Sequence, residues 1–162
     1  MKKISIPNLL IAVALPLAVG ALAAFISAAG TDGGFSATYG GFNKPPLSPP
    51  AIVFPIAWSI LYIVMGIASY IADRNASSSA ERRQALYFYG AQLAVNFIWP
   101  IAFFKAGQYL LALIILAVLF FLVVMTAIKF FRIKPLAGWL LIPYLLWLAF
   151  AAYLNTGVVI LN

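Results

Sequence analysis

The sequence predicts an all-α integral membrane protein, a bundle of five transmembrane helices. Three observations carry that prediction. First, 65% of the 162 residues are hydrophobic and only 8% are charged, against about 25% charged residues in an ordinary soluble domain. A chain this short cannot hide so much apolar surface inside itself, because small domains leave much of their surface outside. Second, five continuous apolar runs cover about 6–29, 50–72, 85–104, 109–130 and 136–160. Each reaches the ~20 residues that a helix needs to cross a bilayer. Third, the three acidic residues, Asp32, Asp73 and Glu81, all fall outside those runs. The chain, 1–162, reads as a single transmembrane domain with no extramembrane unit.

Each element follows in order. The first run stands behind Lys2 and Lys3 and is longer than the apolar stretch of a signal peptide, so it reads as a retained span. A long connection, 30–49, is rich in Gly, Pro and aromatic residues. The second run opens at Pro50, and the polar, Ser-rich segment 73–84 separates it from the third. The third and fourth runs meet at a tight turn around Gly107, and a basic stretch at 132–135 leads to the fifth. Helices are preferred to strands because the runs are continuous, whereas barrel strands alternate. No internal repeat supports an inverted-repeat transporter. Lys2, Lys3, Arg74, Arg82, Arg83, Lys129, Arg132 and Lys134 fall on one side of this topology, and Lys44 and Lys105 on the other. That bias predicts a cytoplasmic N-terminus, with the long loop and the C-terminus outside.

Composition also limits the chemistry. There is no cysteine and no histidine, which removes thiolate nucleophiles and the commonest general base and metal ligand. No carboxylate lies in a span, where a proton-coupled carrier needs one, and no acid–base pair is available for a hydrolase. The net charge of +7 comes from residues flanking the spans, so it points to lipid head groups and away from nucleic acid.

Polar and aromatic residues inside the spans nominate a site. Trp58, Tyr62 and Gly66 share one helix face by spacing. Gln92, Asn96 and Trp99 mark the third span beside Pro100, and Tyr144, Trp147, Ala151 and Leu154 form a stripe on the fifth. In the predicted topology Trp58 and Asn96 both lie roughly 12 Å below the outer surface. Three helices therefore offer indoles and amides at one depth under the long loop, a pocket with a lid. Competing structural roles apply to the same residues. Trp139 fits an interfacial anchor, and Trp99 fits either belt or pocket. Gln92 and Asn96 fit hydrogen-bonded helix glue equally well. Gly90 to Ala94 is a small-xxx-small pattern that allows close helix approach and dimerisation. Pro16, Pro55, Pro100 and Pro143 are expected to bend helices.

These residues carry a resemblance. The stretch Asn43-Lys44-Pro45-Pro46-Leu47-Ser48-Pro49-Pro50, followed by Phe54, Trp58, Leu61-Tyr62, Met65-Gly66 and Ala68-Ser69, resembles the signature of the TspO/MBR family, the tryptophan-rich sensory proteins and the mitochondrial translocator (peripheral-type benzodiazepine receptor). Gln92 to Trp99 with Phe103-Phe104, and Trp139 to Ala151 with Leu154-Asn155, are similar to further family motifs in the same order. The resemblance implies a five-helix bundle, commonly a homodimer, with a ligand pocket beneath the first loop. It implies binding of tetrapyrroles, above all protoporphyrin IX, and of isoquinoline or benzodiazepine-type drugs and lipids. It also implies a sensor or scavenger role in porphyrin and oxidative-stress regulation. Light- and oxygen-dependent porphyrin degradation, and transport of porphyrins or other amphiphiles, are the alternatives. By the same resemblance the ligand-binding set is Tyr39, Pro49, Phe54, Trp58, Tyr62, Asn96, Trp99, Trp147, Ala151 and Leu154. Trp58 and Trp147 are catalytic only if photodegradation occurs.

Two departures from the family pattern stand out. Leu47 occupies a loop position that usually holds Trp, at the expense of one aromatic lid contact. No basic residue follows Lys134, so Tyr153 cannot complete the cholesterol motif of animal members, which points to a bacterial homologue. A flat macrocycle suits a slot lined by indoles, with Asn96 donating to a carbonyl or carboxylate. Met65 and tyrosines are poor axial ligands for iron, so the expected guest is a metal-free porphyrin, with no cofactor required and no metal site. Its propionates would face Lys44 and Tyr39.

Overall fold

A computed structural model describes residues 5–29 and 34–162. Lys2, Lys3 and Asp32 lie outside the described residues, as does the start of the 30–49 connection. Five helical segments are long and apolar enough to cross a membrane, and no strand occurs among the described residues. The protein is an integral, multi-pass membrane protein.

Helix α1 (Ile6–Ala28) starts with Pro7 in its first turn, where the missing N–H has no partner to lose. A short α2 (Gly34–Gly40) stands in the long connection. Helix α3 (Val53–Asn75) follows, three residues later than the apolar run suggested, because 50–52 form a turn. Helix α4 (Ser79–Pro100) starts six residues ahead of its apolar run. The Ser78 hydroxyl accepts from Glu81 N–H at 3.1 Å, and the Glu81 carboxylate accepts from Ser77 N–H at 2.7 Å. This capping pair lets polar residues carry the helix beyond the bilayer.

At Pro100 the α-helical ladder loses an N–H, and one π-helical turn (Ile101–Lys105) takes over. It closes through Ala106 N–H to the Ile101 carbonyl at 2.9 Å. Gly107 then turns the chain at φ +62, the left-handed region that glycine enters without steric cost. Helix α5 (Tyr109–Ile133) buries Ala112, Leu116, Leu119, Val123, Thr126, Ala127 and Phe130, a stripe at helical spacing.

The fifth apolar run is interrupted. It forms α6 (Pro135–Trp139) and α7 (Ile142–Leu161), separated at Leu140 and Leu141. Pro143 has no N–H for the Trp139 carbonyl, so one hydrogen bond of the helical ladder is lost where the helix is interrupted. Trp139 is 63% exposed and sits edge-on to Phe131, as an interfacial anchor does.

The long helices close into a ring in the order α1, α3, α7 with α6, α5, α4 and back to α1. Helix α1 is the least buried of the five spans and turns Leu10, Ile11, Leu15, Leu22 and Phe25 outward. It approaches α3 at Gly66, where an added Cβ would lie 2.6 Å from the Ala12 carbonyl oxygen and 2.7 Å from Val13 Cα. Gly66 therefore faces α1 and not the Trp58 side of its helix. Hydrogen bonds tie the ends together. The Ser5 N–H donates to the Tyr70 hydroxyl at 2.8 Å, Arg82 pairs with Asp73, and Lys129 donates to Gln84 at 2.9 Å. These contacts gather the described basic residues of the polar connections at one end of the bundle.

Candidate functional site

A cluster of aromatic rings fills the half of the bundle under the long loop. Trp58 is its hub, with ring centroids 5.6 Å from Tyr62, 6.3 Å from Trp99, 6.1 Å from Tyr144 and 6.4 Å from Trp147. These rings come from α3, α4 and α7, the three helices whose motifs nominate the site. Phe54 joins Trp147 at 6.0 Å and Tyr39 at 5.0 Å, which connects the cluster to α2.

A cavity of about 530 Å³ lies beside this cluster. Its walls are Leu17, Gly20, Ala21, Ala24 and Ser27 of α1, Phe35 of α2, Phe54, Pro55, Trp58, Ser59 and Tyr62 of α3, Asn96, Trp99 and Pro100 of α4, and Phe104. The volume falls within the ~300–1,000 Å³ of small-molecule sites. Five of the nominated residues line it: Phe54, Trp58, Tyr62, Asn96 and Trp99. The helix α1 wall is missing from the sequence-based set. Its signal is the run of small residues from Gly20 to Ala24, whose short side chains leave room between helices. At Gly20 itself an added Cβ would run into the Tyr62 ring.

A second, narrow space of about 30 Å³ sits directly beneath the loop and touches Tyr39, Lys44, Phe54, Trp99, Ala151 and Leu154. Ala151 and Leu154 thus face this space and not the main cavity. Trp147 and Pro49 line neither. Trp147 packs behind Trp58, and its indole Nε1 is buried with no acceptor among the described residues. The indoles on the cavity are Trp58 and Trp99.

The buried amides are already engaged. Asn96 Oδ1 accepts from the Tyr62 hydroxyl at 2.8 Å, and its Nδ2 donates to the Tyr144 hydroxyl at 2.6 Å. The Tyr144 hydroxyl donates to Gln92 Oε1 at 3.1 Å. This is the helix-glue role, because it joins α3, α4 and α7 and leaves no orphaned polar group at those atoms. Asn96 lines the cavity and keeps one N–H and one lone pair beyond these two bonds. Trp99 Nε1 points to Asn155 Oδ1 at 3.4 Å, and Asn155 Nδ2 donates to the Tyr109 carbonyl at 2.9 Å.

The loop is fastened rather than free. The Tyr39 hydroxyl donates to the Pro49 carbonyl at 2.8 Å, and Tyr153 donates to the Pro46 carbonyl at 2.8 Å. Asn162 holds the Asn43 backbone from both sides, at 3.1 Å and 3.0 Å. Lys44 Nζ sits 4.7 Å over the Tyr39 ring, a cation–π contact. Burial raises the Tyr39 pKa, and a hydrogen bond with Ser48 offsets part of that rise, so the phenol remains a donor across the neutral range. Leu47 has φ +65 and is 83% exposed. The side chain at this position turns away from the cavity.

Comparisons with known proteins agree with this architecture. A family model described as TspO/MBR family matches residues 12–161. The chain is 39% identical over 124 residues to a tryptophan-rich sensory protein of Cereibacter sphaeroides, with 76% of each chain covered. It is 38% identical over 138 residues to a translocator protein of Sus scrofa, covering 85% of this chain and 82% of that one. It is 35% identical over 146 residues to the tryptophan-rich protein TspO of Archaeoglobus fulgidus, covering 90% and 91%. Fold, motif order and matched length converge on one conclusion: this chain belongs to the TspO/MBR family.

Proposed function

We propose that this protein binds a metal-free tetrapyrrole of the protoporphyrin IX type in the cavity bounded by α1, α3 and α4, and serves as a sensor or scavenger of that ligand. The observation that carries the reading is the cavity of about 530 Å³ with the indoles of Trp58 and Trp99 on its wall. Indole faces stack on flat apolar macrocycles, and the few polar groups present set orientation. Asn96 offers its remaining N–H, while Tyr39 and Lys44 stand at the loop end for propionates. Isoquinoline or benzodiazepine-type drugs and lipids fit the same apolar lining. The proposal includes a homodimer. On α4 a Cβ added at Gly90 would meet nothing within 4 Å, which leaves that face open to a second copy.

The test is a dark titration with protoporphyrin IX, read by quenching of tryptophan fluorescence. Saturable quenching that weakens in Trp58→Phe and Trp99→Phe, with Trp147→Phe little changed, is the expected result. Absence of saturable quenching would remove the tetrapyrrole. Equal losses in all three variants would move the ligand to the far side of Trp58.

A second reading, light-driven porphyrin oxidation by dioxygen, is favoured by the indole series Trp99, Trp58 and Trp147, with centroids about 6 Å apart. Such a series can pass an electron to the light-excited porphyrin, whose reduced ring then reacts with dioxygen while the oxidising equivalent rests on the indoles. A Trp58→Phe/Trp147→Phe variant is then expected to bind in the dark and degrade the ligand slowly in light. Unchanged photodegradation would discard the redox role.

A further inference from the structure

At the basic end of the bundle, an open groove of about 650 Å³ runs between the first turns of α4 and the last turns of α5. Arg83, Gln84 and Tyr87 line one side, and Lys129 and Arg132 the other. The acidic residue in the lining, Glu81, directs its carboxylate to the Ser77 N–H. Lys129 bridges to Gln84 at 2.9 Å and so holds the two helices at a set spacing. The neighbouring Arg82 is paired with Asp73, whereas Arg83 and Arg132 make no ion pair among the described residues. Three cations against one engaged acid leave the groove electropositive.

The groove also continues into the lipid-facing surface. Tyr87, one turn from Arg83, is 70% exposed. On α5, Ile128 lies one turn before Arg132 and is 39% exposed, and Phe121 beyond it is 60% exposed. An apolar stripe on α5 therefore runs from the cations toward the bilayer interior, with Tyr87 at the boundary where such residues anchor. A soluble anion would use the cations and ignore the stripe. A membrane lipid would use both.

We infer that this groove seats the phosphate of an anionic phospholipid, with Arg83 and Arg132 donating to its oxygens and the acyl chains lying along α5. Guanidinium groups match phosphate oxygens in a bidentate manner, and basic pockets between spans are a known setting for such head groups. The inference is independent of the tetrapyrrole reading, since the groove and the cavity share no residue.

The test uses the full chain in a neutral detergent. Its thermal midpoint is followed while phosphatidylglycerol, phosphatidylcholine or inorganic phosphate is added at equal concentrations. Phosphatidylglycerol is expected to raise the midpoint saturably, and the other two much less. Arg83→Gln and Arg132→Gln should each weaken the apparent affinity by about fivefold. Lys134→Gln, which removes one exposed charge at the same end but outside the groove, should leave it unchanged. High salt on the unaltered protein should abolish the preference, which tests the idea even if a variant folds poorly. Equal stabilisation by phosphatidylcholine, or equal loss in Lys134→Gln, would overturn the site. Equal stabilisation by inorganic phosphate would overturn the lipid and leave a free-anion site.

Discussion

Asn96 shows how one residue can be structural and still border a cavity. Its amide links Tyr62 on α3 to Tyr144 on α7, and replacing it with Leu strands the Tyr62 hydroxyl in an apolar interior and leaves Tyr144 with Gln92 as its partner. Unpaired buried groups cost about 1–3 kcal/mol in general, while hydrogen bonds between spans average about 0.6 kcal/mol. Asn96→Leu is therefore expected to destabilise by about 1–2 kcal/mol in unfolding from detergent. Tyr62→Phe, which removes only one partner, should cost less. Trp147 makes the opposite case. Its N–H is buried without an acceptor, so Trp147→Phe forfeits packing area but relieves an unsatisfied donor. Its unfolding midpoint should shift little, and a loss as large as that of Asn96→Leu would show that the N–H has a partner after all.

At the scale of elements, the α1–α3 seam decides whether the cavity exists. Helix α1 supplies one wall of it yet meets α3 through a backbone approach that only glycine permits at position 66. Gly66→Ala should push the helices apart at a cost of about 1–3 kcal/mol, the usual range for overpacking. The same change should lower ligand affinity although residue 66 does not touch the cavity. Thermal unfolding and the fluorescence titration, run side by side, check both outcomes. The π-helical turn after Pro100 acts similarly. It sets the direction of Phe103 and Phe104, which pack against Trp99 at 5.5 Å and 6.0 Å. Such turns recur at functional sites.

For the whole molecule, the loop ties are the coupling between the site's cover and the far end of the chain. Tyr153 and Gly157 on α7, with Asn162 just past its end, hold the segment from Asn43 to Pro46, with Pro45 seated against Gly157. An Asn162→Ala/Tyr153→Phe variant is expected to speed amide hydrogen exchange across residues 41–50 severalfold, with the spans unaffected. Exchange at the unaltered rate would mean that the Tyr39–Pro49 bond and packing suffice to hold the loop. The open α4 face makes a further prediction. Gly90→Phe should shift the protein toward monomer in light scattering if that face seats a second copy.

Composition and run length by themselves determine that this chain crosses the membrane five times, because apolar surface in this excess has no other stable environment. Glycine and proline chemistry made the tight turn at Gly107 and the interruptions beside Pro100 and Pro143 legible, whereas Pro16 lies inside the continuous α1. The motif residues named the aromatic cluster, since indoles and amides are rare enough inside spans to stand out. Three-dimensional packing decided the rest. Helical spacing places Trp58, Tyr62 and Gly66 on one face, but the curvature of the ring directs Gly66 to α1, Tyr62 to Asn96 and Trp58 to the indoles. Which side of Trp58 is filled and which is empty depends on neighbours distant in sequence. The break at Leu140 and Leu141 turns α7 so that Trp147 closes the far side, while the small residues of α1 leave the near side open. A one-dimensional pattern records the period of a helix but not the angle at which its neighbours arrive, and that angle sets where the cavity lies.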